Sequence, residues 1–366
     1  MKLCVLHAGQ PKTGSTSLQN YLSAHADALL RCGILYPRMG RTDGRRQHGK
    51  VMRAIAGVRK LSHKEGLPEA LAAEIAGHPH EVLLISAEYL FNALFFNERP
   101  PIRAFFEARG YRIETITYLR DQPDYLNSAY VQHVKKVHEI LRFEEYVQQR
   151  SEADPEISVW ASTYYHRLAA PRHRYWARHT FRPYGAEVRG RGIERDFMAT
   201  LRQILDRHGL APGLTGEVVT GLPLPERANE ADGPLLVAAG RRIAAGLAER
   251  YPRRKLKFLT ASGYHVLADT IREMGLREER YSALTPELYS RLRETYADTN
   301  ARFARKAWQC TWADRFPPRD PATLRSNDID DTQDPGQIRL VEEAVERALP
   351  KIERLVRRAE RWLEQA

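Results

Sequence analysis

Cysteine is scarce in this sequence. Cys4, Cys32 and Cys310 are its only three in 366 residues, odd in number and widely scattered. That spacing excludes a disulfide framework and a cysteine metal site. It suits a reducing cytoplasm, which is the expected location. Long apolar runs are missing too. No stretch of about 18 apolar residues occurs, so no membrane-spanning helix is expected. The N-terminal run KLCVLHA is short and lacks a small-residue cleavage site. It leads straight into a glycine loop, so it is expected as a strand and not as a signal peptide. No internal repeat is apparent. Hydrophobic residues make up 43% and charged residues 28%, the balance of a globular chain. The length suits one large domain or two ordinary ones.

Acid is the scarcer charge, and the net charge is +11. Residues 38–64 carry nine Arg or Lys against Asp43 alone, and residues 167–195 carry eight Arg against Glu187 and Glu194. Neither block holds a nucleic-acid motif, and no nucleic-acid partner is expected. Solvated basic faces and a site for an anionic ligand both fit such blocks.

Short apolar runs alternate with amphipathic ones. Residues 2–8, 81–86, 112–119 and 177–184 are expected as strands, with ILYP at 34–37 as a short extended piece. Helices are expected from Ser15, with Leu18, Tyr21 and Leu22 on one face, over 67–77, and over 121–136, where Asp121 and Pro123 make a helix entrance. Strands alternating with helices imply a parallel sheet covered on both faces. From about residue 200 the pattern is mostly helical. SNDIDDTQDPG, 326–336, is polar and acidic and is expected as a linker. The helix after it carries Val341, Val345, Leu349, Ile352, Leu355, Val356 and Leu363, with Pro350 expected to bend it.

The stretch GQPKTGSTS, residues 9–17, lies between the first strand and the first helix. The nucleotide phosphate loop reads G-x-x-x-x-G-K-[ST]. Gly9, Gly14 and Thr16 keep that spacing, but Ser15 stands at the lysine position and the lysine is Lys12. Glycines and a helix N-terminus still suit an anion. Lys12 on the loop reaches an oxygen at its edge and not the far end of a polyphosphate. That favours a nucleotide with a single 5′-phosphate bearing a transferable group. A plain tight turn into a helix is the alternative.

PKTGSTSLQ resembles the 5′-phosphosulfate loop of sulfotransferases that use 3′-phosphoadenosine 5′-phosphosulfate. TITYLRDQPDYLNSAY resembles the second part of that family's pattern, with Arg120 at a strand end and Ser128 eight residues on. The ILYP piece, the SAEYL segment and LTPELYSRLRETYADTNARFAR, 284–305, are similar to bacterial sulfotransferase-like proteins. Residues 138–175 and those after 310 match little in the family.

The resemblance implies an α/β fold, a three-layer P-loop-type parallel sheet flanked by helices with a mostly helical C-terminal part. It implies a sulfotransferase domain over 1–310, with a donor-binding core at 1–200 and a helical remainder at 200–310. A polar linker at 311–336 and a C-terminal helix at 337–366 follow. Lys12, Thr13, Gly14, Ser15, Thr16 and Ser17 would hold the 5′-phosphosulfate. Arg120 and Ser128 would hold the 3′-phosphate, since arginine offers a rigid fork to a phosphate. No metal is implied, because the donor is not a polyphosphate. The implied activity is transfer of a sulfuryl group to a hydroxyl of an acceptor, expected as a saccharide or glycolipid, and the basic block at 38–64 suits an anionic glycan. An intracellular small hydroxyl compound is the other acceptor class.

In-line transfer needs a general base for the acceptor hydroxyl. Glu88, just past the strand EVLLIS, and His48, in RRQHGK, are the two candidates. Arg182 and Tyr184 of FRPY are candidates for the adenine or the 3′-phosphate. The family's carboxylate after that tyrosine is Gly185 here, which leaves strand-end packing as the competing role. A P-loop kinase or NTPase, with Asp121 as a magnesium carboxylate, is one alternative. A non-catalytic interaction protein on the same scaffold is another. The mixed-charge helix at 338–366 suits self-association or packing on its own domain.

Overall fold

The computed structural model describes residues 2–41, 46–58, 66–95, 100–137, 139–151, 163–169, 177–210, 213, 222–224, 232–252, 260–276, 279–332 and 334–364. Parts of both basic blocks, including Asp43, Arg59, Arg172 and Arg174, lie outside the described residues, as does much of 138–175.

β1 (Lys2–His7) leads through a loop into α1 (Ser15–Ala24). β2 (Ile34–Leu35), α2 (Gly49–Ile55) and α3 (Leu67–Gly77) precede β3 (Val82–Ser86). α4 (Tyr89–Phe95) and α5 (Pro100–Glu107) precede β4 (Tyr111–Leu119). Next come α6 (Gln122–Lys135), α7 (Phe143–Ser151) and β5 (Arg178–Pro183). The remainder is helical, as expected: α8 (Ile193–Arg207), α9 (Pro234–Arg250), α10 (Thr260–Glu273), α11 (Pro286–Thr295), α12 (Ala297–Ala307) and α13 (Pro335–Glu364). The strands form a five-stranded sheet in the order β2-β3-β1-β4-β5, each neighbouring pair parallel.

The chain divides into two compact units. The first comprises Met1–Asp121, Pro155–Ala228 and Ala297–Pro317; the second comprises Gln122–Asp154, Asn229–Tyr296 and Pro318–Ala366. The whole sheet lies in the first. Its strands are apolar on both sides because both sides are covered. Cys4, Leu6, Leu83, Ile85 and Ile113 face one core, shared with Leu71 of α3, Phe91 of α4 and Phe106 of α5. Leu3, Val5, Val82, Leu84 and Ile116 face the other, with Leu18 and Leu22 of α1 and Phe197 and Leu201 of α8. Helix, sheet and helix are the three layers of an α/β fold.

In the second unit, Ile243 and Leu247 of α9, Leu267 of α10, and Val341, Ile352 and Val356 of α13 share a core. Val341, Ile352 and Val356 of the α13 stripe are therefore buried inside their own unit, while the Leu363 side chain lies outside the described residues. The helix continues through Pro350. The acidic stretch before it is built in rather than left as a tether. Asp328 is buried and accepts from both Nη atoms of Arg241, at 2.7 and 2.9 Å, and from the Tyr281 hydroxyl at 2.7 Å. A buried arginine needs such partners, since an unpaired buried charge is strongly destabilising. At the start of the segment 311–336, expected as a polar linker, Trp312 and Phe316 join the first unit's core. The segment 284–305 is two helices, α11 and α12, divided at Tyr296, with the Thr285 side chain capping α11.

Leu84 sits mid-strand in β3 and is fully buried. Leu84→Ala is expected to lower the unfolding free energy by about 2–5 kcal/mol. Urea denaturation measures it, and a loss below about 1 kcal/mol would contradict this packing.

Candidate active site

β1 lies between β3 and β4, with the earlier strands on one side and the later ones on the other. Ligands of open α/β sheets collect outside the carboxyl ends of strands at such a switch point. The loop after β1 occupies that place. Ala8 N–H donates to the Ile116 carbonyl at 3.0 Å, and Ala87 N–H donates to the His7 carbonyl at 3.1 Å. The loop thus springs from a strand still paired on both edges.

Two left-handed residues turn it. Lys12 has φ 69° and Gly14 has φ 79°. Glycine takes this conformation freely, whereas a side chain pays on the order of 1–3 kcal/mol. A Cβ on Gly14 would also lie 3.0 Å from the Tyr184 hydroxyl oxygen, so the tyrosine ring sits against the loop. Thr13 is buried and its hydroxyl donates to the Gln10 carbonyl at 2.7 Å, which closes the turn. Ser15 opens α1. Its hydroxyl is buried and has no hydrogen-bond partner among the described residues. A Cβ on Gly9 would press on that hydroxyl within contact distance. A bare glycine, an orphan hydroxyl and the first turn of a helix therefore face one another. Leaving a buried hydroxyl unpaired is costly, and an anion at the helix N-terminus would satisfy it.

The loop is fastened to the end of β4. Gln10 Oε1 accepts from Arg120 N–H at 3.2 Å, and Gln10 Nε2 donates to the Tyr165 hydroxyl at 2.8 Å. That hydroxyl donates to the Arg120 carbonyl at 2.7 Å. Arg120 Nη1 donates to the Lys12 carbonyl at 3.2 Å. Arg120 and Lys12, far apart in sequence, thus meet at the loop. Sequence patterns missed Gln10 and Tyr165. Gln10 occupies a position that the phosphate-loop pattern leaves unconstrained, and Tyr165 lies in a region without a recognised motif.

Glu88 follows β3 and is half-buried. The register pairs His7 with Ser86, so Glu88 is level with Gly9 at the carboxyl edge of the sheet. Beneath the loop, His7 Nδ1 lies 2.8 Å from the Ser86 hydroxyl, to which Gln19 Nε2 also donates at 3.2 Å. Burial pulls the His7 pKa down to about 3.

His48 does not suit a base. It is fully buried, its Nε2 lies 3.0 Å from the Pro37 carbonyl, and its Nδ1 accepts from Ser86 N–H at 3.1 Å. Burial holds its pKa down at about 4. Both ring nitrogens are engaged with backbone, so His48 pins the segment before α2 to β3. Arg182 is likewise taken up. Its Nε donates to Asp196 Oδ1 at 3.0 Å, and its Nη2 pairs with Asp196 Oδ2. Hydrogen bonding to Asp196 raises its pKa further. Strand-end structure, with Tyr118 donating to the same carboxylate at 2.7 Å, accounts for Arg182. The Ser17 hydroxyl donates to Glu194, and Thr16 is exposed. Ser128 belongs to the second unit, on α6, where its hydroxyl accepts from Arg280 at 3.3 Å.

The two buried histidines set a pH dependence. Above their ordinary value of 6.5 both are neutral, folded or unfolded. As pH falls below it, the unfolded chain takes up protons first, whereas folded His48 waits until about 4 and His7 until about 3. Their stabilisation is complete above pH 6.5 and is lost on the way down to those values. Unfolding free energy is expected to drop between pH 7 and 4, by up to about 3 kcal/mol from His48. Denaturant titrations at several pH values check this; a His48→Gln variant with an unchanged slope would refute it.

No protein-family model matches the chain, and no curated protein matches it. Among solved structures, it is similar to a sulfotransferase from Alicyclobacillus acidocaldarius, at 18% identity, covering 72% of this chain and 99% of that chain, with a TM-score of 0.33. At that score the likeness carries no argument about function.

Proposed function

We propose that the chain is a sulfotransferase moving a sulfuryl group from 3′-phosphoadenosine 5′-phosphosulfate to an acceptor hydroxyl. The observation that carries this reading is the loop after β1. Its lysine is Lys12, in left-handed conformation on the loop itself, and the buried Ser15 hydroxyl stands where a nucleotide-triphosphate loop has lysine. Such a loop fits one phosphate bearing one transferable group.

In this proposal the loop N–H groups, the Ser15 hydroxyl and Lys12 bind the 5′-phosphosulfate. Lys12 and the amides stabilise the 5′-phosphate as it gains charge, a stronger interaction in the transition state than before it. Glu88 takes the acceptor's proton. The acceptor oxygen bonds to sulfur as the bond from sulfur to the 5′-phosphate oxygen breaks. The products are a sulfate ester and adenosine 3′,5′-bisphosphate. Arg120 braces the loop through the Lys12 carbonyl and supplies a cation at the β4 end. Ser128 enters by its sequence spacing from Arg120 alone. The basic residues of 38–64 favour an anionic saccharide or glycolipid as acceptor.

A magnesium-dependent kinase is less well supported. The position after Gly14 is not lysine, and the Asp121 carboxylate is buried, accepting from Trp312 Nε1 at 2.8 Å.

Calorimetry with adenosine 3′,5′-bisphosphate tests the donor. Micromolar affinity, about −8 kcal/mol, is expected, with adenosine 5′-monophosphate at least about tenfold weaker. Equal binding of the two would remove a 3′-phosphate site.

Turnover of labelled donor with cell-envelope polysaccharide fractions tests the chemistry. Lys12→Ala is expected to lower turnover by about 10²–10³-fold. Glu88→Gln is expected to lower it by at least about 10²-fold with bisphosphate affinity little changed. An active Glu88→Gln enzyme would exclude that carboxylate as the base.

A further inference from the structure

A second recess lies at the opposite end of the sheet, within the first unit. Its volume is about 850 Å³, at the upper part of the ~300–1,000 Å³ range of small-molecule sites. It forms where β4 runs from Tyr111 to Ile113 before β5 begins, since the first β5 residue, Arg178, pairs with Glu114. Along the strands, Glu114 and Leu119 are five steps apart, so this end of β4 lies roughly 16 Å from the loop end. The recess is not the site already described.

Its lining combines apolar and cationic residues. Ile113, Leu168, Ala177 and Phe181 supply apolar surface. Arg112, Arg178 and Lys306 add three cations, none with an acidic partner among the described residues. Two carboxylates also line it, and both are already matched. Glu107 pairs with Arg103 at 2.7 Å. Glu114 is buried, with Oε2 accepting from Arg207 at 3.0 Å and Oε1 lying 2.7 Å from His208 Nε2. That buried carboxylate fixes Arg207 and His208 in the wall. His179 also lines it, its Nδ1 2.7 Å from the Thr115 hydroxyl. Three cations with no acidic partner among the described residues, together with apolar surface, call for an occupant with negative charge and an apolar body.

We propose that this recess is a second binding site, taking a small amphipathic anion: an aromatic or aliphatic body bearing a sulfate, sulfonate, phosphate or carboxylate. The site stands whether or not the transfer reaction does, because it shares no residue with the loop after β1. The probe is 8-anilinonaphthalene-1-sulfonate, titrated by fluorescence into the full chain. Saturable binding is expected, undiminished by saturating adenosine 3′,5′-bisphosphate. Arg178→Gln with Lys306→Gln is expected to weaken it at least tenfold. Both side chains are exposed, and an unchanged thermal melt verifies the fold. Ala307→Phe, which fills the recess from α12, is expected to weaken it similarly, and the neutral N-phenyl-1-naphthylamine to bind at least tenfold more weakly than the sulfonate. Parent-like binding in the charge variant, displacement by the bisphosphate, or equal binding of the neutral dye would each overturn the proposal.

Discussion

Gln10 holds the end of β1 to the end of β4, and the candidate site depends on that link. One side-chain amide uses its oxygen on the Arg120 backbone and its nitrogen on Tyr165, whose hydroxyl returns to the Arg120 carbonyl. A closed ring of buried hydrogen bonds stiffens what it encloses, because opening any member leaves a buried group unpaired. The side chain of the same Arg120 donates to the Lys12 carbonyl. With the ring in place, the left-handed turn at Lys12 is held from both ends rather than free to relax.

The layer beneath has a different character. His7, Ser86, Gln19 and His48 form a polar seam inside a core that is otherwise apolar. Both histidines are neutral because burial penalises their charged forms. They act as uncharged hydrogen-bonding groups, which position β3 against β1 without adding positive charge under the loop. The cations that matter for an anion stay above, on the loop and at the β4 end.

The sheet was legible in the sequence because each buried strand is a short apolar run closed by polar or turn residues. Lys2–His7 and Val82–Ser86 differ from the expected 2–8 and 81–86 by a residue at one end. The loop was legible because two glycines frame it: Gly14 takes a left-handed turn, and Gly9 leaves room for the Ser15 hydroxyl. Roles that depend on distant partners were not. Nothing near His48 signals that Pro37 and Ser86 occupy both its nitrogens, and nothing near Arg182 signals Asp196. Tyr165 could not be read at all, since a tyrosine in an unpatterned stretch becomes informative only once Gln10 is beside it. The two interleaved units were hidden for the same reason: sequence order suggested successive segments, while packing gathers each unit from three separate pieces.

That interleaving bears on how the protein is made. The ribosome releases residues 2–119, with four of the five strands, before β5 exists, and the sheet's edge at β4 stays open until Arg178–Pro183 emerge. The second unit begins to appear at Gln122 but lacks the α13 wall of its core until after Pro335. Apolar surfaces of α9 and α10 must therefore wait until the end of synthesis, and exposed apolar surface and open strand edges invite aggregation meanwhile. A nascent chain halted before residue 318 has every piece of the first unit and only part of the second. Its dependence on chaperones should fall late, in the interval when α13 leaves the exit tunnel.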